Sequence, residues 1–549
     1  MCYVIGVDFG TLSARAIVVD TSDGHTLGEG VCAYAHGVMD AALPDGTPLP
    51  GSDWALADPQ DYWAALSTAV RGAARTSGVA KADIRALAIA ATACTLMPVD
   101  AFLTPLCALP AFRDHPHAYA KLWKHHRAQP YADRMTEAAR QMALPQLADY
   151  GGRISSEWAV PKVMEVLAED EVVYRAADRF MQFSDWLTAR LVGDGDVQNG
   201  SIAAYKAMAS REALPPDAYF DAVGTKAREI IHHKLRGRRI RAGRPAGMLT
   251  PEGAQALDLC PGTVIAMAHT DAHAAALGVG AAEPGDYVYI LGTSTCGHLL
   301  AKETVDVPGV TGRVPNGLVE GCTCYSAGQA CAGDMLDWFI RQGVPAALTE
   351  EAAARGLSPH QLLERKAAPL PPGGDGLLAL DWWNGNRSTL VDAQLSGLVV
   401  GLTMDTRPEA IYRALLESIA FGHREILENF RRCGLEARSV VLCGGIVHKN
   451  ALLMQIMADV LDRPVALSAE AQATALGAAM CAASALGVSG GGWATLPEAI
   501  RRMRAPYLRT VTPRPEHRAR YAELYALYHQ LYHYFGREQA HIMHCLRQG

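Results

Sequence analysis

The sequence predicts an α/β protein made of two related halves. Apolar, β-branched segments alternate with helical patterns, which is the order of a wound sheet covered by helices. Two β-hairpins of one plan, at 3–19 and 286–301, each carry a turn rich in glycine and hydroxyl residues. A proline- and glycine-rich stretch at 245–262 lies between them. We therefore expect domains over residues 1–250 and 251–549.

Composition narrows the class of protein. The 549-residue chain is long enough for more than one core, and its 50% hydrophobic and 19% charged residues are typical of a globular protein. A net charge of -7 without a long basic run disfavours a nucleic-acid partner. The most apolar long stretch, 473–488, is too short and mild to span a bilayer, so no membrane partner is expected. Thirteen cysteines without a CxxC pair, and no leader-like N-terminus, predict a cytoplasmic protein with reduced thiols.

The first hairpin carries the first candidate site. Residues 3–7 predict a buried strand and residues 14–19 its partner. Asp8, Gly10 and Thr11 lie at the turn between them. A strand end with a carboxylate for Mg²⁺, a glycine for close backbone approach and hydroxyl donors suits a nucleotide phosphate. Taken alone, this pattern fits an ordinary polar turn equally well.

Strands and helices follow in regular order. Asp58 and Pro59 predict the start of a helix, and 84–91 predicts another buried strand. Beyond residue 115 the pattern is mostly helical up to the predicted boundary. The second half restarts with a strand that ends before Asp271. The remaining predicted elements are a strand at 439–443, a helix at 450–461, a strand at 463–467, an alanine-rich helix from Ala473 and a packed helix rich in tyrosine at 515–535.

Three strands end in turns suited to phosphate. Gly10-Thr11, Gly292-Thr293-Ser294-Thr295 and Gly444-Gly445 each follow an apolar strand. Phosphate cradles use backbone N–H groups and hydroxyls in this way. The chain has neither a Gly-x-x-x-x-Gly-Lys-Ser/Thr motif nor a Gly-x-Gly-x-x-Gly motif after a strand, so P-loop and dinucleotide-binding proteins are disfavoured.

These motifs together resemble the FGGY carbohydrate kinases, within the actin-like, hexokinase-like ATPase fold. Several stretches resemble the ribulokinases of that family in particular. The segments that match the family are Asp8-Phe9-Gly10-Thr11-Leu12-Ser13, Asp271-Ala272-His273, Gly292-Thr293-Ser294-Thr295-Cys296, Arg413-Ala414-Leu415-Leu416-Glu417 and Gly444-Gly445. The segments that match the ribulokinases in particular are Leu122-Trp123-Lys124, Ser155-Ser156-Glu157-Trp158, Ala327-Gly328-Gln329, Asp381-Trp382-Trp383-Asn384-Gly385 and Gly444-Gly445-Ile446-Val447-His448-Lys449-Asn450.

The resemblance implies two actin-like, ribonuclease H-like domains with an interdomain cleft, the first binding the sugar and the second binding ATP. It implies that Asp271 is the catalytic base and that Asp8 and Asp271 hold Mg²⁺. The substrate residues that it implies are Lys206, Ala93, Cys94, Trp123, Lys124 and Ser326. The ATP-binding residues that it implies are Gly10, Thr11, Ser13, Arg15, Gly292, Thr293, Ser294, Gly444, Gly445 and Asn450. A homodimer is expected from the family alone.

The chain departs from ribulokinases at three carboxylate positions. Ala90, His125 and Ser326 stand where those enzymes carry acids. Carboxylates accept hydrogen bonds from sugar hydroxyls, so their loss predicts a changed choice of acceptor. We therefore expect an ATP-dependent kinase acting on ribulose or on a related ketose or polyol. A sugar- or nucleotide-sensing relative without catalysis stays an alternative, and a protein-directed ATPase of the actin or chaperone type has no supporting motif.

Overall fold

The computed structural model describes residues 2–211 and 213–547. The strands, in chain order, are β1 (Tyr3–Phe9), β2 (Ser13–Asp20), β3 (Thr26–Ala33), β4 (Leu56–Ala57), β5 (Ile84–Ala91), β6 (Leu96–Val99), β7 (Ala120–Lys121), β8 (Arg179–Gln182), β9 (Val197–Asn199), β10 (Arg238–Ile240), β11 (Pro245–Met248), β12 (Val264–Thr270), β13 (Asp286–Leu291), β14 (Thr295–Ala301), β15 (Gly312–Pro315), β16 (Thr323–Ala327), β17 (Leu378–Leu380), β18 (Leu398–Val400), β19 (Ser439–Cys443), β20 (Val465–Ser468) and β21 (Tyr507–Val511).

The helices, apart from short 3₁₀ and π turns, are α1 (Pro59–Ser77), α2 (Gln129–Gln141), α3 (Ala159–Glu169), α4 (Glu171–Ala176), α5 (Phe183–Val192), α6 (Gly200–Lys206), α7 (Asp217–Val223), α8 (Ala227–Glu229), α9 (Pro251–Leu257), α10 (Asp271–Gly278), α11 (Gly333–Gln342), α12 (Ala346–Ala354), α13 (Pro359–Ala367), α14 (Pro408–Arg432), α15 (Ala451–Leu461), α16 (Ala473–Leu486), α17 (Leu496–Met503), α18 (Arg518–His533) and α19 (Ala540–Arg547). In the described part of the chain, no helix combines the length and the apolar character that crossing a bilayer requires.

The first compact unit contains a six-stranded mixed sheet. Its strand order is β11-β12-β5-β1-β2-β3. The predicted hairpin of β1 and β2 is confirmed as an antiparallel pair, and β1, β5 and β12 run parallel. Helix α1 packs on β2 and β3, and Asp58 caps it by accepting a hydrogen bond from the Gln60 amide. This is the helix start that Asp58 and Pro59 predict.

The second compact unit repeats this plan. The strands β13 and β14 form an antiparallel hairpin, and β13 lies parallel to β19. The strand β20 continues the parallel set, and β21 closes it in the antiparallel direction. The first sheet has the same sequence of directions from β2 to β11. Two mixed sheets of one topology therefore confirm the two-domain α/β fold class.

The compact units differ from the boundary predicted after residue 250. The first unit comprises the chain up to Ala282 together with Arg313–Cys324 and Gln472–Ala505. The second comprises Glu283–Gly312, Tyr325–Ala471 and the chain from Pro506 onward. The proline- and glycine-rich stretch enters the edge strand β11, which pairs with β12, so it is a connection within the first sheet. The alanine-rich helix α16 also belongs to the first unit, because it packs on β1 and β5.

The tyrosine-rich tail forms α18, as predicted, and packs into the core of the second unit. Tyr521, Tyr528 and Tyr532 are all at most 1% exposed. The Tyr528 hydroxyl donates to Asp381 at 2.9 Å, so its polar end has a partner. The interpretation of this tail as a packed helix is confirmed.

Candidate functional site

The candidate residues of the first unit meet at one edge of its sheet. Asp8 lies at the end of β1, the turn 92–95 follows β5, and Asp271 opens α10 after β12. These three strands are parallel, so their carboxyl ends share one edge. Ligands of open α/β sheets bind at this edge.

Asp8 and Asp271 interact electrostatically. Burial, together with the nearby Asp271 carboxylate, raises the pKa of Asp8 to about 7 against the opposing charge of Arg15. The Arg15 guanidinium lies 3.8 Å from the Asp8 carboxylate and is half exposed, so its compensation is partial. Two acids held near each other with little neutralisation favour a cation between them.

Helix α16 holds the elements that carry both acids. A Cβ on Gly6 of β1 would lie 1.9 Å from the Ala475 carbonyl oxygen. A Cβ on Gly278 of α10 would lie 2.0 Å from the Ala473 carbonyl oxygen. Only glycine permits backbones to approach this closely. One helix therefore fixes the strand that ends in Asp8 and the helix that begins with Asp271.

The turn of the first hairpin is fixed by hydrogen bonds. The Gly10 amide donates to the Ser13 carbonyl at 3.0 Å, and the Tyr34 hydroxyl donates to the Gly10 carbonyl at 2.8 Å. The Thr11 hydroxyl accepts a bond from the Trp123 indole N–H at 3.2 Å. Two residues assigned to different ligands, Thr11 to ATP and Trp123 to the acceptor, are thus in direct contact.

The residues of the first unit that the sequence predicts to bind the acceptor lie in one neighbourhood. Burial raises the pKa of the Cys94 thiol to about 11, with the Lys206 charge acting against it and the Asp271 charge acting with it. Lys206 ends α6, and Cys94 adopts a left-handed backbone with φ of 64°. Ala93 and Lys124 are half-buried in the turns that also contain Cys94 and Trp123. The structure brings together five sequence-predicted residues: Asp271, Lys206, Ala93, Cys94 and, through Thr11, Trp123.

The three missing carboxylates all fall on buried positions, of which only Ala90, in the predicted buried strand 84–91, was expected to be buried. Ala90 lies within β5 and is 0% exposed. The His125 ring is also 0% exposed and contacts both Glu165 oxygens through Nε2 at 3.0 Å. Ser326, 6% exposed, bonds His298 Nδ1 at 3.0 Å. The side chains of His125 and Ser326 are engaged by protein partners and Ala90 is enclosed within its strand, so the departures alone do not define a changed acceptor pocket.

The glycine turn of the second unit carries an exposed hydroxyl. The Gly292 amide donates to the Ser294 carbonyl at 3.0 Å and closes the turn. The Thr293 carbonyl accepts from the Ala332 amide at 2.9 Å, just before α11, while Thr293 itself is exposed. Thr295 is buried and accepts a bond from the Gln329 amide at 2.7 Å. The turn is anchored from behind and presents Thr293 to solvent.

Two adjacent glycines follow β19 and differ in environment. Gly444 has a φ of 100°, and a Cβ there would lie 2.4 Å from the Leu291 carbonyl oxygen. Gly445 is exposed, and a Cβ there would meet nothing within 4 Å. Gly444 is therefore required by the fold, while Gly445 leaves open space for a ligand.

Asn450 has a structural role that the sequence reading missed. Its side-chain oxygen caps α15 by accepting from the Leu453 amide at 2.8 Å, and its amide donates to the Tyr412 hydroxyl at 3.3 Å. The residue is 6% exposed. Both ends of the side chain are engaged with protein, so Asn450 fixes the start of α15 and does not present a free amide.

Sequence reasoning also missed two buried charges on α3. Lys162 and Glu165 are both 0% exposed. The Lys121 ammonium, at 3.3 Å, and the His125 contact hold the pKa of Glu165 at about 2 although burial raises it. A usable signal was present, since both charges interrupt the apolar run of Val160, Val163, Met164 and Val166.

The chain is similar to known proteins over nearly its whole length. The N-terminal domain model of the FGGY family of carbohydrate kinases matches residues 3–278, and its C-terminal domain model matches residues 287–486. A ribulokinase of Halalkalibacterium halodurans is 44% identical over 546 residues, covering 99% of this chain and 97% of that protein. A ribulokinase of Mycolicibacterium smegmatis is 43% identical, covering 97% and 94%. A solved xylulose kinase from Rhodospirillum rubrum superposes with a TM-score of 0.76 at 22% identity, covering 97% and 99%, and is similar in fold.

Proposed function

Because this chain belongs to the FGGY family of carbohydrate kinases, we propose that it transfers the γ-phosphoryl group of ATP to a hydroxyl of ribulose. Ribulose is the acceptor that the names of its relatives give, at 44% identity over nearly the full length of both chains. A related ketose or polyol, which the absent carboxylates at Ala90, His125 and Ser326 suggest from the sequence alone, is the competing acceptor.

The observation that carries this function is the meeting of Asp271, Asp8 and Lys206 at the carboxyl edge of the first sheet. In the proposed reaction, Asp271 takes the proton of the acceptor hydroxyl. The hydroxyl oxygen then forms a bond to the γ-phosphorus as the bond to the β–γ bridging oxygen breaks, and ADP leaves with that electron pair. Lys206 donates hydrogen bonds to the acceptor and orients it, helped by the 92–95 turn.

The donor set fits a divalent cation. Asp8 and Asp271 are carboxylates whose mutual repulsion a cation would relieve, and hard oxygen ligands are those that Mg²⁺ prefers. We propose that these two residues hold Mg²⁺, directly or through water. When bound, the ion neutralises charge on the phosphoryl oxygens.

The nucleotide-side residues divide by exposure. Thr293 is exposed and supplies a hydroxyl for a phosphate, and the open space over Gly445 admits the adenosine. Within the first unit, Gly10 and Thr11 of the first hairpin are the residues that we propose for phosphate binding. Gly444 and Asn450 act behind them by fixing the backbone.

The test measures ADP release in a coupled assay with a panel of pentuloses, tetruloses and polyols. We expect L-ribulose or a close ketopentose to give the highest kcat/KM. Asp271→Asn should lower kcat about 10²- to 10⁴-fold while ATP still binds. Turnover of no panel member would overturn the proposed reaction, and unchanged turnover in Asp271→Asn would remove this residue from it.

A further inference from the structure

The fully buried lysine of α3 lies beneath two loops of the acceptor side. Lys162 Nζ donates to the carbonyl oxygens of Cys94 at 2.6 Å and Leu122 at 2.7 Å, with a longer contact to that of Lys121 at 3.4 Å. The first carbonyl belongs to the turn after β5, and the other two precede Trp123 and Lys124. One ammonium group thus ties together the two turns that carry the expected acceptor contacts.

This placement is costly for a lysine. The side chain is 0% exposed, and burial lowers the pKa of Lys162 to about 8. Within the described residues, no carboxylate lies within ion-pair distance of its Nζ. Lys162 also lies in the first turn of α3, where the helix dipole disfavours a cation. Backbone carbonyls are therefore its hydrogen-bond acceptors, and the ammonium stays protonated at neutral pH to satisfy them.

The 92–95 turn contains a strained residue at the point where Lys162 binds it. Cys94 holds a left-handed backbone, which an L-residue adopts at a cost of about 1 kcal/mol or more unless its surroundings hold it there. The Cys94 carbonyl is the one that makes the shortest bond to Lys162. Beyond Leu122, the Trp123 indole reaches the Thr11 hydroxyl of the first hairpin. A single anchor at Lys162 thus supports both the 92–95 turn and the 122–125 turn.

We propose that Lys162 is a positioning residue for the acceptor, which sets the relative placement of the 92–95 and 122–125 turns without touching the substrate. The proposal rests on the proposed function, because it concerns the binding of the acceptor in that reaction. A misplacement of about 1 Å at a binding group can cost on the order of 10²-fold in rate. Loss of this anchor should therefore weaken acceptor use specifically.

Lys162→Met in the full chain removes the ammonium and keeps the length of the side chain. We expect the KM for the acceptor to rise about 10-fold or more, while the KM for ATP stays within about twofold. The matched control is Lys234→Met. Lys234 likewise donates to two backbone carbonyls, those of Tyr174 at 3.0 Å and of Ala177, but these residues carry no predicted acceptor contact. The control should lose stability and retain both KM values.

A second variant keeps the test decisive if Lys162→Met does not fold. Lys162→Gln is smaller and neutral and has two N–H donors, so it should fold where the methionine variant does not, and it should also raise the acceptor KM above that of Lys234→Met. An unchanged acceptor KM in either soluble variant overturns the proposal, as does an equal rise in Lys234→Met. Failure of both Lys162 variants to fold while the control folds reduces the role to stability and also overturns it. Absence of turnover in the wild-type protein would contradict the proposed reaction. An unchanged ratio of the acceptor KM values of variant and wild type would contradict only the role of Lys162.

Discussion

The adjacent glycines after β19 should respond differently to substitution. We expect a change at Gly444 to lower the stability of the fold and a change at Gly445 to weaken ATP binding. Gly444→Ala places a methyl group 2.4 Å from the Leu291 carbonyl oxygen on a backbone with a φ of 100°. The left-handed backbone costs an L-residue about 1 kcal/mol relative to glycine. Relieving the overlap with an immobile backbone atom costs a further ~1–3 kcal/mol. We expect Gly444→Ala to lower the free energy of unfolding by ~2–4 kcal/mol.

Gly445→Ala should behave in the opposite way. Its methyl group meets nothing within 4 Å, and its φ lies outside the left-handed region. Its stability should therefore stay within about 1 kcal/mol of the wild type, or rise slightly through the reduced entropy of the unfolded chain. The methyl group occupies the space proposed for adenosine, so the KM for ATP should rise about 10-fold.

The assay compares urea unfolding midpoints and ATP KM values of the two variants side by side. We expect Gly444→Ala to lose stability and Gly445→Ala to lose affinity for ATP. Equal stability of Gly444→Ala and wild type would refute the steric argument. An unchanged ATP KM in a stable Gly445→Ala variant would remove Gly445 from the nucleotide site.

Three further outcomes follow from individual contacts. Asn450→Ala should destabilise the protein by about 1 kcal/mol through loss of the α15 cap. Asn450→Ser should retain most of that stability, because serine can also cap a helix. Equal unfolding midpoints for the alanine and serine variants would contradict the capping role. Glu165→Gln should cost ~3–5 kcal/mol, because it leaves the Lys121 ammonium buried without its counter-ion. The pKa of Glu165 in the folded protein, about 2, lies below the ordinary pKa of 4.5 for this side chain. The stabilisation by Glu165 is therefore complete above pH 4.5 and is lost as pH falls toward 2. Stability curves of wild type and variant that run parallel across this pH range would contradict this. Chelation of Mg²⁺ should abolish ADP release, and Asp8→Asn should raise the Mg²⁺ concentration that restores half of the activity; a titration curve unmoved by Asp8→Asn would argue against this carboxylate as a ligand.

The elements that the sequence predicted are those specified by local pattern. An apolar run that ends in a glycine and hydroxyl turn was enough to place the hairpin of β1 and β2, because sheet strands and turn residues have short-range signatures. The start of α1 was readable from Asp58 and Pro59 for the same reason. The strand before Asp271 was also recognised from its apolar run, but it was assigned to the second half; only its parallel pairing with β5 brings Asp271 to the same edge as Asp8.

The features that escaped prediction depend on partners distant in the chain. His125 reads as a pocket position by motif, but it is held by Glu165, forty residues later. The alanine-rich helix α16 was assigned to the second half by its place in the sequence, and only its close contact with Gly6 and Gly278 assigns it to the first sheet. Nothing local in a run of alanines specifies which sheet it will cover. Asn450 was read from its motif, and its capping role required knowledge of where α15 begins.

The return of α16 to the first sheet has a consequence for how the protein is made. The ribosome releases β1, β5 and β12 early, but the helix that packs on them is synthesised roughly 200 residues after Ala282. At ordinary elongation rates, the nascent sheet waits ~10–40 s with the surface of β1 around Gly6 uncovered. Its final packing is therefore post-translational or nearly so, and the site acids acquire their fixed spacing only when almost the whole chain has emerged. A fragment ending at Ala282 would contain every strand of this sheet and still lack the helix that completes it, and so should be prone to aggregation.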